Sequence, residues 1–505
     1  MNVNLQMPTK AKKLSAILGP KFAKAMKGQP DPKIERLAID SRRVTPGSLF
    51  FALPGLKADG NSFVDEAISR GAVAVISSQP RRFRSSKTAF VTIENPRQTL
   101  AAVAREFYDK PDEALSLVGV TGTNGKTTVT YLVKQILANL GQRYGCLGTI
   151  GYDLVRRTVP SFRTTPESLD LCDLLNQMRG FECRGAVMEV SSHGIDQHRV
   201  AGLKFEVAAF LNLTRDHLDY HDDMESYYQV KRSFFLGEHG PQPKVAIMNL
   251  DDPYGERLVS EVPDDVEVIT FGESPKADYR VSQIALSSGG STFVLSCPDG
   301  EFEVNTSLVG RYNVSNTLAA LAICGGLGLN VTNCVKDLSS FSGIPGRMQK
   351  VEAGQSSTVL VDYAHTEDAL KNALSMLRDV TTGKLSVVFG CGGNRDRGKR
   401  PAMMRVANEL ADVSWATSDN PRNEKVEDIF QDMREGIVDG DRVHFVADRR
   451  RAIELALESC GEGDCLLIAG KGHESFQEYG ETVIPFDDRK VAIELIENMR
   501  LGGRA

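Results

Sequence analysis

The chain has a single tryptophan in 505 residues, nine scattered cysteines and no C-x-x-C pair. An odd set of unpaired cysteines excludes a disulfide framework and a zinc ribbon, and it fits a reducing compartment. A basic excess is also missing. Sixty Lys and Arg against 66 Asp and Glu leave a formal charge of −6, with no polycationic stretch to attract nucleic acid or a membrane surface. No apolar run approaches the roughly 18–20 residues that a bilayer demands. Leu14 to Leu18, flanked by lysines, is too short for a signal-peptide core. Internal repeats and low-complexity tracts are absent too. The expectation is a cytoplasmic, monomeric protein with no nucleic-acid partner and no membrane insertion.

What is present belongs to an ordinary globular protein: 41% hydrophobic and 25% charged residues. At about 150 residues per domain, the length predicts about three domains. Residues 1–109 form a first block, with strand-like runs at Ser48–Leu53 and Val73–Ser77. In 110–345 an apolar strand repeatedly precedes a helix, as at Ala186–Val190, Ala208–Leu213, Val245–Leu250 and Val268–Phe271. Thr292–Leu308 alternates like an antiparallel hairpin. After Ile344-Pro345-Gly346-Arg347, which reads as a hinge, 346–505 opens a new series: Val359–Asp362, Leu385–Phe389, Val413–Thr417, Arg442–Val446 and Cys465–Ala469. Strand–helix alternation of this kind predicts an α/β protein with parallel sheets flanked by helices.

The most informative run is Val118 to Thr128, V-G-V-T-G-T-N-G-K-T-T. It lies between an apolar strand, Leu115–Val120, and a helix marked by Val129, Leu132, Val133, Ile136, Leu137 and Leu140. Free amides and the positive end of a helix dipole favour anionic oxygens there. Gly122 and Gly125 admit a phosphate, Lys126 reaches its terminal oxygens, and the Thr127 hydroxyl can hold magnesium. The loop predicts ATP or GTP binding without naming a reaction.

Other segments also end strands. Glu189, in M-E-V-S-S-H-G, suits magnesium as a hard carboxylate; the alternative is a carboxylate that caps the next helix. Asn212 to His221 carries His217 and His221, two of four histidines between 193 and 221. Taken singly, each histidine reads as an ordinary hydrogen-bonded side chain. Lys231 reads as a helical lysine of the solvated kind. Asn316, in G-R-Y-N-V-S-N, suits a helix cap or a base contact. Three further loops, Cys391–Arg400, Ser418–Arg422 and Gly470–Glu474, leave one edge of one sheet, the edge where open α/β sheets bind ligands.

Together these segments resemble the Mur ligases of bacterial cell-wall synthesis. The order T-G-T-N-G-K-T-T, E-V-S-S-H-G, N-L-T-R-D-H-L-D-Y-H, G-R-Y-N-V-S-N, G-R-M-Q, D-Y-A-H-T, D-N-P-R and G-K-G-H-E runs from residue 121 to 474. Asp40-Ser41-Arg42 and Pro54 to Gly60 extend it to nearly the whole chain. D-N-P-R marks the branch that adds meso-2,6-diaminopimelate; lysine-adding relatives usually lack the arginine. Two departures stand out: Glu367 where the family commonly has proline, and Arg163 where it often has asparagine.

The resemblance implies three α/β domains: a UDP-sugar-binding domain over 1–109, a central P-loop ATPase domain with a parallel sheet over 110–345, and a C-terminal Rossmann-like domain for the amino acid over 346–505. By position, Ile39, Ser41, Leu56, Lys57 and Ala58 would face the UDP-sugar, and Thr164, Thr165, Ser191, Gln197 and Arg199 its peptide. Gly122, Thr123, Asn124, Gly125, Lys126, Thr127, Thr128, Asn316, Arg347 and Asp362 would contact ATP. Magnesium would fall to Thr127, Glu189, His217 and Lys231, the last as an N-carboxylysine; Lys126, Glu189, His217 and Lys231 would be catalytic. Arg395, Asp419, Asn420, Pro421, Arg422, Gly470 and Glu474 would bind diaminopimelate, with Arg422 left unpaired when lysine takes its place. The implied substrates are ATP, meso-diaminopimelate and UDP-N-acetylmuramoyl-L-Ala-D-Glu. A folylpolyglutamate synthase shares the architecture but lacks the first block. A P-loop kinase or GTPase is a rival reaction class, although no N-K-x-D motif supports a GTPase. A non-catalytic relative would not need Lys126, Glu189, His217 and Lys231.

Overall fold

The structure, a computed structural model, describes residues 10–55, 59–81, 87–218, 220–287, 289–336, 338–341 and 343–502. Two compact units emerge: one holds residues up to 280 with 296–300 and 318–334, the other 281–295, 301–317 and 335 onward.

Besides the short antiparallel pair Lys12–Lys13 and Lys33–Ile34, the first unit contains a four-stranded sheet and strands of a larger one. In the smaller, Arg36–Ala38, Ser48–Ala52, Ala72–Ser77 and Ala89–Thr92 lie side by side, all parallel. The following helix, Pro96–Phe107, starts where proline's fixed φ and the Asn95 side chain, accepting from the Gln98 amide, favour a helical first turn. The larger sheet orders Tyr144–Leu147, Gly185–Glu189, Ser116–Thr121, Val207–Phe210, Val245–Asn249 and Glu267–Gly272 in parallel. Such strands are covered on both faces, so they read as unbroken apolar runs. Register places Val120 beside both Glu189 and Ala209. The loops after residues 121, 189 and 210 therefore leave one edge together.

The second unit carries a sheet ordered Gln349–Val351, Thr358–Asp362, Cys465–Ala469, Leu385–Cys391, Val413–Ser418 and Val443–Phe445. All its pairings are parallel except that of the first strand. The α/β class and the strand–helix alternation are as expected, with strand ends mostly within one or two residues. The 292–308 segment forms the neighbouring strands Gly290–Cys297 and Gly300–Thr306. The strand expected at Ala208–Leu213 instead ends at Phe210. Beyond it the backbone serves the phosphate loop and its neighbours: the Asn212 carbonyl accepts from the Thr123 amide, and the Leu213 amide donates to Asp252.

One buried ion pair ties the carboxyl edge of this sheet together. Arg449 and Asp488 are both fully buried and meet through two bonds, Nε to Oδ1 at 2.8 Å and Nη2 to Oδ2 at 2.7 Å. The same guanidinium donates to the Ser418 carbonyl at 3.3 Å and the Ala469 carbonyl at 2.9 Å, the last residues of two loop-bearing strands that flank Leu385–Cys391. Removing one partner leaves an uncompensated buried charge. Arg449→Ala is therefore expected to destabilise the second unit by about 3–5 kcal/mol, and Arg449→Met with Asp488→Leu by much less. Urea unfolding followed by the fluorescence of Trp415, the only tryptophan, reads this directly because Trp415 lies in that sheet. Equal losses in the single and double variants would contradict the assignment.

Candidate active site

The phosphate loop forms where expected. The strand Ser116–Thr121 ends, Gly122 and Gly125 adopt φ of +152° and +88°, and the helix Lys126–Asn139 begins. At φ +88° glycine avoids a β-carbon clash, which frees the helix's first amides for an anion. Asn212 shapes the loop from the next strand: its side chain accepts from the Asn124 amide at 2.9 Å and donates to the Asn124 carbonyl at 3.1 Å. Lys126 folds over the loop, donating to the Gly122 and Thr123 carbonyls at 2.9 and 2.8 Å. Thr128 is half-buried one residue beyond Thr127.

Behind the loop the Thr127 hydroxyl donates to Glu189 Oε1 at 3.0 Å. Glu189 is 1% exposed and also accepts from the Thr149 amide and hydroxyl at 2.8 and 3.2 Å. Glu189 is thus a bound carboxylate facing the loop rather than a helix cap; Ser191 caps the next helix, accepting from the Gly194 amide. Thr149 is a functional neighbour that sequence reading missed, because nothing local marks the G-T-I-G segment as approaching residue 189.

Lys231 corrects an expectation. It is 1% exposed, not solvated, because the inner face of the helix Met224–Leu236 packs onto the loop. Its ammonium nitrogen lies 3.2 Å from Thr121 Oγ1, 3.1 Å from the Gly122 carbonyl and 4.9 Å from the Tyr227 ring centroid. Burial first, and the like charge of Lys126 second, hold its pKa well below the ordinary lysine value.

His217 sits at φ +54° on the exposed loop after residue 210, its ring 5.1 Å from His193. His221 is buried, bonded to the Ser192 hydroxyl at 3.0 Å and stacked on Tyr227. Among the described residues no three His, Cys, Asp or Glu side chains gather as a metal cluster. The oxygen donors of Thr127 and Glu189 nevertheless suit a hard cation such as magnesium, which takes few protein ligands beside phosphate oxygens.

The residues assigned to the sugar-peptide converge on the same edge. Buried Thr165 donates to the Glu189 carbonyl at 2.9 Å and meets Ser191 Oγ at 3.0 Å, while Thr164 meets the Thr149 hydroxyl at 3.1 Å. Arg199 donates to the Thr165 carbonyl at 3.0 Å and to Gln197 at 2.7 Å. Arg163, the departure from the family pattern, joins Arg199 and Arg97 around the buried carboxylate of Glu167. Ile39 is half-buried in the smaller sheet's region, and Ser41 donates to Glu66 at 2.8 Å. Leu56, Lys57, Ala58 and Asp219 lie outside the described residues.

In the second unit Ile344 to Arg347 closes as a turn with Gly346 at φ +67°. The Arg347 guanidinium lies 4.9 Å over the Tyr363 ring. Asp362 ends its strand and accepts from the Met348 and Ala364 amides at 2.7 and 2.8 Å; burial raises its pKa, opposed by Arg347. Asn316 does not cap its helix, which starts at Arg311; it lies inside and bonds Asn313 at 3.0 Å.

The three loops after residues 391, 418 and 469 meet at one edge, as the sequence reading expects. Asn420 donates to Glu474 at 3.0 Å, and the fully buried Lys471 bridges Asn420 Oδ1 and Glu474 Oε2 at 3.1 and 3.0 Å. Pro421 is buried, Gly470 at φ +111° passes close to Asp419, and Arg395 is exposed on the loop after residue 391. Arg422 corrects the expectation that it lacks a partner without diaminopimelate. Its Nε lies 2.9 Å from Glu478 Oε2, and its Nη1 donates to the Gly393 carbonyl at 2.9 Å. Sequence reading missed Glu478, which is distant along the chain and carries no motif.

Family models for the Mur ligase family catalytic domain, the Mur ligase middle domain and the Mur ligase glutamate ligase domain match residues 33–108, 120–324 and 346–472. The chain belongs to the Mur ligase family. A relative from Geobacillus thermodenitrificans, UDP-N-acetylmuramoyl-L-alanyl-D-glutamate–2,6-diaminopimelate ligase, is 43% identical over 477 residues, covering 93% of this chain and 96% of its own. A solved structure of an enzyme with that same name matches at 34% identity and TM-score 0.70, over 95% of this chain and 99% of that one. The folylpolyglutamate synthase of Mycobacterium tuberculosis, at 18% identity and TM-score 0.59 over 79% of this chain and 94% of that one, shares the fold alone.

In this Mur ligase, Gly148 leaves room for the Glu189 carboxylate: a β-carbon there would lie 2.2 Å from Oε1. Gly148→Ala is expected to weaken magnesium–nucleotide binding about 10- to 100-fold, measured calorimetrically with a non-hydrolysable triphosphate. Gly180→Ala, with open space around it, serves as the neutral control.

Proposed function

We propose that this chain is an ATP-dependent ligase that joins meso-2,6-diaminopimelate to UDP-N-acetylmuramoyl-L-alanyl-D-glutamate, yielding ADP and orthophosphate in peptidoglycan precursor synthesis. The observation that carries the reading is the D-N-P-R loop, tied to Lys471 and Glu474 with Arg422 at its end, in a chain with an intact phosphate loop. The diaminopimelate-adding relatives support the same choice.

The chemistry balances simply. A carboxylate oxygen of the substrate's glutamyl side chain attacks the γ-phosphorus of ATP, and the bond to the β-phosphate oxygen breaks, giving an acyl phosphate and ADP. The amine of diaminopimelate then attacks the acyl carbon; the C–O bond to phosphate breaks, the amine loses a proton, and orthophosphate leaves. Lys126 and the loop amides exchange their carbonyl and solvent contacts for phosphate oxygens, so fixed donors meet charge as it develops. Thr127, Glu189, His217 and Lys231 would hold magnesium, which supplies charge neutralisation at the phosphates when bound. Asp362, Arg347 and Asn316 are assigned to the nucleotide, and Thr165, Ser191, Gln197 and Arg199 to the sugar-peptide.

Lys231 fits this scheme as a carbamate. A buried neutral amine is the form that adds carbon dioxide, giving Lys–NH–COO⁻ and releasing one proton. The product is an anionic oxygen ligand in place of a cation.

Two experiments test the proposal. Enzyme, ATP, magnesium and the UDP-dipeptide are incubated with diaminopimelate or lysine, and the product is read by mass; diaminopimelate is expected in the product with ADP, not AMP, as co-product. Lys126→Ala is expected to slow ligation at least about 100-fold, and undiminished ligation by that variant would defeat the reading. For the carbamate, Lys231→Ala should lose activity, regain part of it with a short added carboxylate, and lose a carbon-13 carbamate resonance that the parent protein displays in labelled bicarbonate. A fully active Lys231→Ala enzyme refutes the modification.

A further inference from the structure

Residues 476–485 form a hairpin of two strands, Phe476–Tyr479 and Thr482–Pro485, that among the described residues makes a two-stranded sheet of its own. Three residues of its first strand, and Gly480 after it, are nevertheless bonded to the segment 418–422. Buried Gln477 donates to the Asp419 carbonyl at 2.9 Å. The Glu478 amide donates to Asn420 Oδ1 at 3.1 Å, and the Glu478 carbonyl accepts from the Arg422 amide at 2.9 Å. The Tyr479 and Ser418 hydroxyls meet at 3.1 Å, and the Gly480 amide donates to the Arg422 carbonyl at 2.7 Å. Between these bonds Arg422 is held at φ +52°, a left-handed conformation that a residue with a β-carbon adopts only when its surroundings impose it.

The side chain is held as firmly as the backbone. A guanidinium has five N–H donors. Arg422 Nε lies 2.9 Å from Glu478 Oε2 as an ion pair, and one Nη1 donor goes to the Gly393 carbonyl. Three donors remain on the two terminal nitrogens. A carboxylate arriving there meets a fork presented end-on, the geometry for two parallel bonds.

We infer that Glu478 is a positioning residue for amino-acid selection: it anchors the Nε side of Arg422 and aims the terminal nitrogens at the distal carboxylate of the incoming amino acid. It acts through Arg422 and touches no substrate itself. Because Glu478 also balances the arginine's charge, a ligand without a distal carboxylate leaves no bare half-buried cation behind. Discrimination in favour of a dicarboxylic diamine then comes from the aim of the fork rather than from an unpaired charge.

This inference rests on the proposed ligation of diaminopimelate, and kinetics separate the two. Glu478→Ala is expected to raise KM for diaminopimelate about 10-fold while kcat stays within about twofold and KM for ATP is unchanged, the pattern of lost uniform binding. Glu478→Asp keeps a carboxylate for the ion pair and should hold KM to within about threefold of the parent. In the Arg422→Ala background the Glu478→Ala change should add nothing, since the two act as one unit. An unaltered KM in Glu478→Ala, a KM for ATP that rises equally, or additive effects in the double variant would each overturn the inference. A parent enzyme that fails to ligate diaminopimelate overturns both this inference and the proposed function.

Discussion

The carbonyl oxygen of Gly122 accepts from two lysines, Lys126 at 2.9 Å and Lys231 at 3.1 Å. Two cationic amines sharing one acceptor in a water-poor setting repel each other, and the buried one yields its proton more readily. The arrangement divides the labour between residues of one type. Lys126, half-exposed at the loop's mouth, stays available to phosphate oxygens. Lys231, beneath the loop, is pushed by burial toward the neutral amine. Glu189 and Thr127 complete the same corner, and the parallel register that sets Glu189 beside Val120 brings them there.

The second unit solves a similar problem with opposite means. The loops at its carboxyl edge leave adjacent parallel strands, and such loops drift unless something fixes their roots. Arg449 joins the ends of two of these strands from below, with Asp488 compensating its charge. Lys471 ties Asn420 to Glu474 above. Each of these cations is fully buried and each has a carboxylate partner, which is the condition under which buried charge is tolerated. Arg422 follows the same rule through Glu478 but keeps its outer nitrogens uncommitted.

Much of this was legible in the residues. The phosphate loop is local: strand, glycines, lysine and helix lie within one short stretch, so spacing alone identifies it. Alternation of apolar runs with helical periods gave the parallel sheets, and the edge at which loops gather follows from that topology. Strand ends were blurred where backbone groups leave the ladder for a neighbouring loop, as at Leu211 to Leu213. Of the two readings of Asn316, a cap or a base contact, the cap fails because the helix begins five residues earlier, at Arg311.

The sequence by itself determined the α/β class, the nucleotide loop, and the motif series that marks the family, because each depends on the order and spacing of neighbouring residues. Only the tertiary structure decided that Lys231 is buried, that Glu189 is held by Thr149, and that Arg422 leans on Glu478. Those facts rest on contacts between chain segments far apart in number, 110 residues in the case of Lys231 and Thr121. Burial and charge balance are properties of the packed surroundings, and no local pattern of residues encodes them.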